Sequence, residues 1–555
     1  MEEKRHLNSV RPFGTSAVNG KALMLGLGYT REDLQKPRIG IINTWSDYNP
    51  GHLHLRDLAR AVTDGVCEAG GLPCNFNVMN FCDGLQPKGP YALVSRDMIT
   101  NSVEVMARSQ DLDAMVLIAT CDKNVPAMVM AAARVNIPAI VLTGGHMKSN
   151  IYQGKLVDFI DINKTVSAVE EGRCSMEYLD GLVDCACPGV GACNMMGTAN
   201  TMQIVTETLG MSLPGNATVS AAGKTLIRYA REAGRQVIRL WEKNIRPRDI
   251  ITEKSVNNAV RMVMAVGGST NTMYHVPAIA SEAGLSCSVW DIYDAASHEV
   301  PLLMTIRPVG PYTIDDFERA GGVRAMCTNI KKTLHLDCLT VNGKTLGENI
   351  EGHEVLDREV IHPMDQPYSD DGGICILKGN IAPEGCAAKQ STFPRNMLKF
   401  RGPAKVFFTT EDAINGLYDG RIVEGDFVVI LHQGAKGGPG MTSVYGFTSA
   451  LAGSSLAGKC AMVSDGRFSG AAAGAIIGYA SPEAALRGPI CAVQDGDMIS
   501  YDIETRTIHA ELSDEEIAKR IEAFDKEVDW QTGCLGMYQS WVGSLARGAV
   551  LSGKN

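Results

Sequence analysis

Short apolar runs in the first third of the chain, separated by helical stretches, constrain the fold most strongly. They lie at 38–44, 75–81, 114–119 and 139–143, and the third run, Ala-Met-Val-Leu-Ile-Ala, is apolar throughout. A strand that is apolar on both sides is typical of a parallel sheet covered by helices on both faces. Strand–helix–strand units at this spacing have right-handed crossovers. The pattern therefore predicts an N-terminal, doubly wound α/β domain.

The pattern changes after about residue 354, where short apolar runs follow one another between turns. Regular short strands with few long helices predict a C-terminal β-barrel-like domain. A chain of 555 residues is also too long for a single ordinary core. The polar, Pro-containing stretch His362–Asp371 separates the two patterns. We therefore divide the chain into an N-terminal domain over 1–365 and a C-terminal domain over 366–555.

Charge and hydropathy exclude several classes of function. The net charge is −10, whereas binding to nucleic acid or an anionic membrane requires basic surfaces. The chain has no run of 18 apolar residues, and its first residues lack the apolar core of a signal peptide. We therefore expect a cytoplasmic protein that acts on a small molecule. Its 16 cysteines are irregularly spaced, which is not typical of a disulfide scaffold and leaves a few for metal binding.

Two Cys–Asp pairs follow predicted strands. Cys121, Asp122 and Lys123 come directly after the fully apolar strand, and Cys82 and Asp83 follow the strand before it. In open α/β sheets, ligands bind at the carboxyl ends of the strands. Thiolates suit a soft iron centre and carboxylates a hard divalent cation. The alternative is that both cysteines are small buried residues beside solvated charges.

A Gly/Pro-rich loop supplies three further cysteines, Cys185, Cys187 and Cys193. Structural zinc is an alternative here, but the spacing matches the usual paired C-x₂₋₄-C pattern poorly. One cysteine of this loop, together with the two that follow strands, would give three thiolates. Three thiolates on a cubane cluster leave one iron open to a substrate.

The C-terminal region contains two glycine-rich turns with polar side chains. In one of them, Arg467 suits a carboxylate, and Ser469 presents a hydroxyl that needs a nearby cation to act as a base. The other turn spans Gly434–Met441. Each turn alone is equally consistent with an ordinary glycine-rich connection.

Together, these segments resemble the dihydroxy-acid dehydratase family, which includes 6-phosphogluconate dehydratase and the sugar-acid dehydratases. The resemblance covers nearly the whole chain and rests on these segments, in this order: Asn49–Asp57, Cys121–Lys123, Cys193 with Thr198–Met202, Gly267–Thr272, His362–Tyr368, Lys436–Met441 and Asp465–Gly470. It implies an α/β domain with an iron–sulfur cluster, a β-barrel-like domain, and a homodimer or dimer of dimers.

The resemblance also implies roles for individual residues. Three cysteines match the cluster ligands: Cys82, Cys121 and Cys193. Three residues match magnesium ligands, the last of them after carboxylation: Asp83, Asp122 and Lys123. Ser469 matches the general base.

Some positions depart from the family pattern. Many members with a two-iron cluster have Cys where this chain has Gly51, whereas Cys82 resembles the 6-phosphogluconate branch. We therefore expect a 4Fe-4S cluster in preference to a 2Fe-2S cluster. Ser443 stands where the family has a magnesium-binding Glu, and Tyr479 where a His is usual in the valine and isoleucine enzymes.

The implied activity is conversion of a 2,3-dihydroxy acid to a 2-keto acid and water. The default substrate is a small polar carboxylate of the 2,3-dihydroxyisovalerate type, from branched-chain amino-acid synthesis. Ser443 and Tyr479 motivate an alternative, a sugar-acid (aldonate) dehydratase. A third possibility is an inactive homologue that only binds a ligand, but such a protein has no physical need to keep all the candidate thiolates, Asp residues and Ser469.

Overall fold

A computed structural model describes residues 15–85, 90–170, 172–468 and 474–551. The strands of its N-terminal part are β1 (Arg38–Asn43), β2 (Leu72–Asn77), β3 (Ala114–Ala119), β4 (Ala139–Thr143), β5 (Asn150–Tyr152) and β6 (Lys155–Val157). The helices of the same part are α1 (Thr15–Gly26), α2 (Leu55–Glu68), α3 (Ala92–Ser109), α4 (Asn124–Val135), α5 (Phe159–Glu170), α6 (Met176–Ala186), α7 (Thr198–Thr208), α8 (Lys224–Lys243), α9 (Pro247–Ile250), α10 (Glu253–Ala265), α11 (Thr272–Glu282), α12 (Val289–Glu299), α13 (Ile314–Arg319), α14 (Gly322–Asn329) and α15 (Leu346–Ile350).

Strands β2, β1, β3 and β4 lie side by side in that order and are parallel. Every residue of β3 is buried, because α8 packs on one face of this sheet and α4 on the other. The apolar run therefore has the environment that its composition predicts. The predicted doubly wound α/β domain is confirmed.

The strand predicted over 75–81 is displaced along the chain. Strand β2 instead begins at Leu72, directly after the Gly70-Gly71 turn, and ends at Asn77. Phe81 lies off the sheet because Asn124 at the start of α4 holds its backbone: Phe81 N donates to Asn124 Oδ1 at 3.1 Å, and Asn124 Nδ2 donates to Phe81 O at 2.8 Å. A contact 43 residues away in sequence thus overrides the local apolar pattern.

The C-terminal strands close into a barrel in the order β10-β11-β12-β8-β7-β14-β13-β9. They are β7 (Cys375–Gly379), β8 (Ala382–Ala388), β9 (Lys399–Phe407), β10 (Phe427–Ile430), β11 (Ala461–Ser464), β12 (Ala475–Ser481), β13 (Met498–Asp502) and β14 (Thr507–Ala510). The helices of this part are α16 (Thr410–Tyr418), α17 (Tyr445–Gly453), α18 (Asp514–Ala523) and α19 (Gly533–Trp541). The predicted β-barrel-like domain is confirmed, although the sequence pattern did not reveal β8, β12 or β14.

Buried apolar residues form two clusters. One surrounds the parallel sheet and its helices, and the other fills the barrel, where Phe427, Val463 and Ile499 are completely buried. Across the ranges described, no helix has the length and apolar character needed to cross a membrane.

The C-terminal segment returns to the N-terminal domain. Arg96 on α3 is fully buried, and its Nη2 donates to the carbonyl oxygens of Gly548 and Ala549, both at 2.9 Å. Arg96 also pairs with its neighbour Asp97, whose carboxylate accepts a hydrogen bond from Leu551 N. The end of the chain therefore helps to hold the two domains together.

Helices α2 and α8 approach each other closely through Gly65. A Cβ at this position would lie 2.0 Å from the carbonyl oxygen of Arg231 on α8. We expect Gly65→Ala to push the helices apart and to destabilise the protein by about 1–3 kcal/mol, seen as a lower Tm of the apo-protein. Gly20→Ala is the control because a Cβ there has no neighbour within 4 Å, and its Tm should not fall.

Candidate active site

The loop between β3 and α4 carries Cys121, Asp122 and Lys123 at the carboxyl edge of the sheet. Cys121 is buried and has a φ of +64°, in the left-handed region that non-glycine residues rarely adopt. Gly51 makes room for its thiol, since a Cβ on Gly51 would lie only 2.6 Å from Cys121 Sγ. Thr120 Oγ1 donates to Gly51 O at 2.5 Å and fixes this close approach.

The three predicted cluster cysteines, Cys82, Cys121 and Cys193, lie near one another in this region. The neighbouring Cys121 lowers the pKa of the Cys82 thiol against the opposing effect of burial. Cys82, together with burial, raises the pKa of Cys121. Burial and the charge of Cys82 raise the pKa of Cys193. The pKa of Cys187 is also raised, by burial and then by Cys82, which places a fourth thiol in the same neighbourhood.

A charged group lies beside the thiols. Lys123 Nζ is completely buried and lies 2.8 Å from Asp83 Oδ2 and 2.9 Å from Asp122 Oδ2. Arg467 Nη1 lies 3.3 Å from the same Asp83 oxygen. In the ranges that the structure describes, no three His, Cys, Asp or Glu side chains are grouped closely enough to ligate one metal ion. Both carboxylates nevertheless contact the ammonium group of Lys123. They therefore lie close enough together to act as a pair of oxygen ligands.

These contacts shift the pKa values of the two carboxyl groups in opposite directions. Burial opposes ionisation of Asp83, but Arg467 and Lys123 outweigh it and hold the pKa well below its usual range. Burial raises the pKa of Asp122 to about 6, with Lys123 opposing and Asp83 adding to the shift. Burial would lower the pKa of Lys123, but Asp122 and Asp83 outweigh it and raise that pKa. At neutral pH Asp83 is therefore a carboxylate and Lys123 an ammonium ion.

Arg467 reaches this group from the barrel domain. It follows β11, and its Nε donates to the carbonyl oxygen of Met441 at 2.9 Å. Ser443 pairs with Arg467 through the backbone, so the two glycine-rich turns lie against each other. Arg467 was predicted to hold a carboxylate, and the structure places it against Asp83. The side chain of Ser443 is half-buried and accepts a hydrogen bond from Tyr445 N.

Two buried carboxyl groups fix these turns. Asp465 accepts hydrogen bonds from the backbone N–H groups of His432, Gln433 and Ala484. Glu483 accepts hydrogen bonds from Lys436 N and Gly437 N, and its Oε2 alone receives both at 3.1 and 2.9 Å. Burial raises the pKa of Asp465 to about 6. Burial, and then the charge of Asp465, raises the pKa of Glu483 to about 7.

The raised pKa values predict that stability falls as pH rises. The folded state favours the protonated carboxyl groups, so their contribution is complete below the unfolded pKa of roughly 4.3 and is lost as pH rises through 6 to 7. We expect the Tm to be lower at pH 8 than at pH 6. Glu483→Gln keeps both hydrogen bonds through one oxygen and should flatten this dependence, with a gain on the order of 1–3 kcal/mol at pH 8. An unchanged slope of Tm against pH would contradict the assignment.

The remaining predicted residues lie close by or outside the described ranges. Ser469 lies outside them, between the described residues Phe468 and Gly474. Tyr479 is fully buried, and its hydroxyl lies 2.9 Å from Asn271 Oδ1 and 3.2 Å from Thr270 Oγ1. The barrel therefore also contacts the glycine-rich segment that precedes α11.

Sequence reasoning missed Tyr274 and His275. Both are completely buried in the first turn of α11, and their rings lie 4.3 Å apart between centroids. Neither the Tyr274 hydroxyl nor either ring nitrogen of His275 has a hydrogen-bond partner within the described parts of the chain. Their helix is buried on every face from Thr272 to Ala280, so no periodic pattern distinguishes them. Their place just after the Gly-Gly-Ser-Thr-Asn segment is the only hint in the sequence.

Comparison with known proteins covers nearly the whole chain. Residues 36–349 match the family model described as dihydroxy-acid/6-phosphogluconate dehydratase N-terminal, and residues 359–549 match its C-terminal counterpart. Proteins called dihydroxy-acid dehydratase are similar along their full length. One from Caldicellulosiruptor saccharolyticus is 44% identical over 96% of this chain and 97% of its own.

Two further relatives bear the same description. The protein from Halothermothrix orenii is 45% identical over 96% of this chain and 97% of its own. The one from Methanosphaera stadtmanae is 42% identical over 97% of this chain and 98% of its own. The chain therefore belongs to the dihydroxy-acid/6-phosphogluconate dehydratase family and is an enzyme of the hydro-lyase class.

Proposed function

We propose that the protein converts a 2,3-dihydroxy carboxylic acid of the 2,3-dihydroxyisovalerate type to the corresponding 2-keto acid and water, as a step of branched-chain amino-acid synthesis. Relatives more than 40% identical along the whole chain are called dihydroxy-acid dehydratases. The observation that carries the proposal is the meeting of soft and hard ligands. Neighbouring thiols that shift each other's pKa lie beside two carboxylates that share a buried amine.

Three thiols have the chemistry to hold an iron–sulfur cluster: Cys82, Cys121 and Cys193. They come from separate loops, and two of them lie close enough to shift each other's pKa. A 4Fe-4S cluster is favoured over a 2Fe-2S cluster because this chain has Gly51 where many two-iron members have Cys and offers its third thiol through Cys82.

Asp83 and Asp122 are suited to hold magnesium, with Lys123 as a third ligand once its amine is carboxylated. The hard oxygen donors that magnesium prefers are present, and Lys123 Nζ lies between the two carboxylates. When bound at Asp83 and Asp122, magnesium would supply Lewis-acid polarisation of the substrate, and a cluster held by Cys82, Cys121 and Cys193 would supply a second Lewis acid for the hydroxyl that leaves.

The protein's own groups then account for binding and proton transfer. Arg467 adds a positive charge that favours an acidic substrate at the domain junction. We assign Ser469 as the base that removes the proton from C2, and its hydroxyl needs such cations to ionise. Loss of the C2 proton and the C3 hydroxyl gives an enol and water, and the enol tautomerises to the keto acid.

The proposal includes the organisation of the protein. Residues 1–365 form the cluster- and magnesium-binding domain, and residues 366–555 form the domain that carries Ser469. The protein acts in the cytoplasm as a homodimer or dimer of dimers on a small polar carboxylate.

A sugar acid is the second candidate substrate. The Tyr479 hydroxyl and its contacts with Thr270 and Asn271 bring polar groups to the junction between the domains. Ser443, in place of a carboxylate, leaves the neighbouring turn uncharged at that position. Both features favour a substrate with more hydroxyl groups than a branched-chain precursor has.

Anaerobic purification followed by iron and sulfide analysis tests the proposed function. We expect about four iron atoms per chain for a 4Fe-4S cluster, and keto-acid formation from 2,3-dihydroxyisovalerate. A panel of aldonates assayed in parallel decides between the two substrate classes. Absence of iron would refute the cluster, whereas iron without turnover of any acid would indicate a ligand-binding homologue.

A further inference from the structure

The hydroxyl of Tyr274 is unusual among the polar groups near the site. The side chain is 0% exposed, and its oxygen has no hydrogen-bond partner within the described ranges. Burying a hydroxyl without a partner is unfavourable, and most buried polar groups in proteins are therefore satisfied. By contrast, the nearby Tyr479 hydroxyl bonds to Asn271, and the buried Tyr538 hydroxyl donates to Ala549 O at 2.9 Å.

The position of Tyr274 connects it with the charged group of the candidate site. It lies in the first turn of α11, which packs against α4, and α4 begins directly after Lys123. On the other side, its ring lies 6.1 Å from the ring of Tyr479 between centroids. The phenol therefore lies where the α/β domain meets the barrel.

The charged residues that act on Tyr274 also place it beside the candidate site. Burial raises the pKa of Tyr274, Lys123 and Arg467 oppose this shift, and Asp83 and Asp122 add to it. All four charges belong to the group formed by Lys123, Arg467 and the two carboxylates. A neutral phenol among these charges is a fixed hydrogen-bond donor at every pH in which the protein works.

We propose that Tyr274 is a substrate-binding residue whose hydroxyl donates a hydrogen bond to an oxygen of the hydroxy acid. The inference rests on the proposed function, since a dihydroxy or polyhydroxy acid supplies several oxygens at this junction. In this proposal the substrate is the hydrogen-bond partner that the Tyr274 hydroxyl lacks in the protein. Helix α11 would then contact the substrate in addition to the loop between β3 and α4 and the barrel.

Tyr274→Phe tests the proposal in the cluster-loaded enzyme. We expect kcat/KM for the better substrate, and the affinity for that acid by calorimetry, to fall about 10- to 100-fold. The Tm should not fall, because the variant removes a buried hydroxyl that has no protein partner. Values of kcat/KM and Kd within a factor of about two of wild type would overturn the proposal and indicate that water satisfies this hydroxyl.

Tyr293→Phe is the matched control. Tyr293 is also completely buried, on α12, and its hydroxyl likewise has no hydrogen-bond partner within the described ranges, but no charged group contributes to the rise of its pKa. This variant should keep the kcat/KM and Kd of wild type, and an equal loss in both variants would refute a specific role for Tyr274. If the loaded enzyme turns over no acid, the proposed function fails. Calorimetry with 2,3-dihydroxyisovalerate and gluconate then decides on Tyr274, and absence of binding to wild type overturns both.

Discussion

We expect replacement of Cys121 by serine to prevent assembly of the proposed cluster and to reduce activity by at least about 1,000-fold. Cys121 is buried, and Cys121 and Cys82 shift each other's pKa. A serine hydroxyl has nearly the same size but is a hard donor, whereas iron–sulfur clusters require soft thiolates. Iron, sulfide and visible absorbance per chain measure the loss without relying on turnover.

Cys460→Ser provides the control for this variant. Cys460 is buried in the barrel domain, and its thiol donates to Val423 O at 3.1 Å, a bond that serine can keep. We expect wild-type iron content and activity. A Cys121→Ser protein with wild-type iron content would contradict the assignment and place the cluster elsewhere.

Lys123→Met will have the second large effect, on both activity and stability. Lys123 neutralises Asp83 and Asp122, and its removal leaves two carboxyl groups facing each other in a largely buried site. Breaking a buried charge pair on one side costs about 3–5 kcal/mol. Loss of the proposed magnesium ligand is expected to reduce activity by about 1,000-fold or more. Thermal unfolding of the apo-protein and steady-state kinetics measure the two effects separately.

Magnesium distinguishes a ligand site from a purely structural ion pair. Lys123 is proposed as a magnesium ligand together with Asp83 and Asp122, so millimolar magnesium should raise the Tm of wild type more than that of Lys123→Met. The control is Lys459→Met, which breaks the exposed Lys459–Glu424 pair and should change stability by less than about 1 kcal/mol. Equal magnesium responses in Lys123→Met and wild type would argue against metal binding by these carboxylates.

The sequence pattern predicted the layers of the fold because burial on both faces leaves a clear composition. Strand β3 is apolar at every position and is buried at every position. Strand β2 was displaced because the tertiary contact between Asn124 and Phe81 ends it. Strand β8 was missed because its Gly, Pro and Glu residues carry little strand propensity, and closure of the barrel stabilises it instead.

The candidate site was predictable where polar residues follow strands directly. Cys121, Asp122 and Lys123 are of this kind, because strand ends of one parallel sheet share an edge. The contact between Arg467 and Asp83 was not predictable, since 384 residues separate them and only the docking of two domains joins them. Tyr274 was hidden for another reason: a tyrosine in a buried helix is usually a core residue, and only its unsatisfied hydroxyl near the charged group of the candidate site sets it apart.

The contact between Arg467, in the barrel, and Asp83 can form only late in synthesis of the chain. The ribosome delivers Cys82, Cys121 and Cys193 in the first half of the chain, well before Arg467 emerges. During that interval Asp83 lacks its contact with Arg467, and the junction between the two domains cannot form. We therefore expect interruption of synthesis before β11 to yield inactive chains even when iron is plentiful.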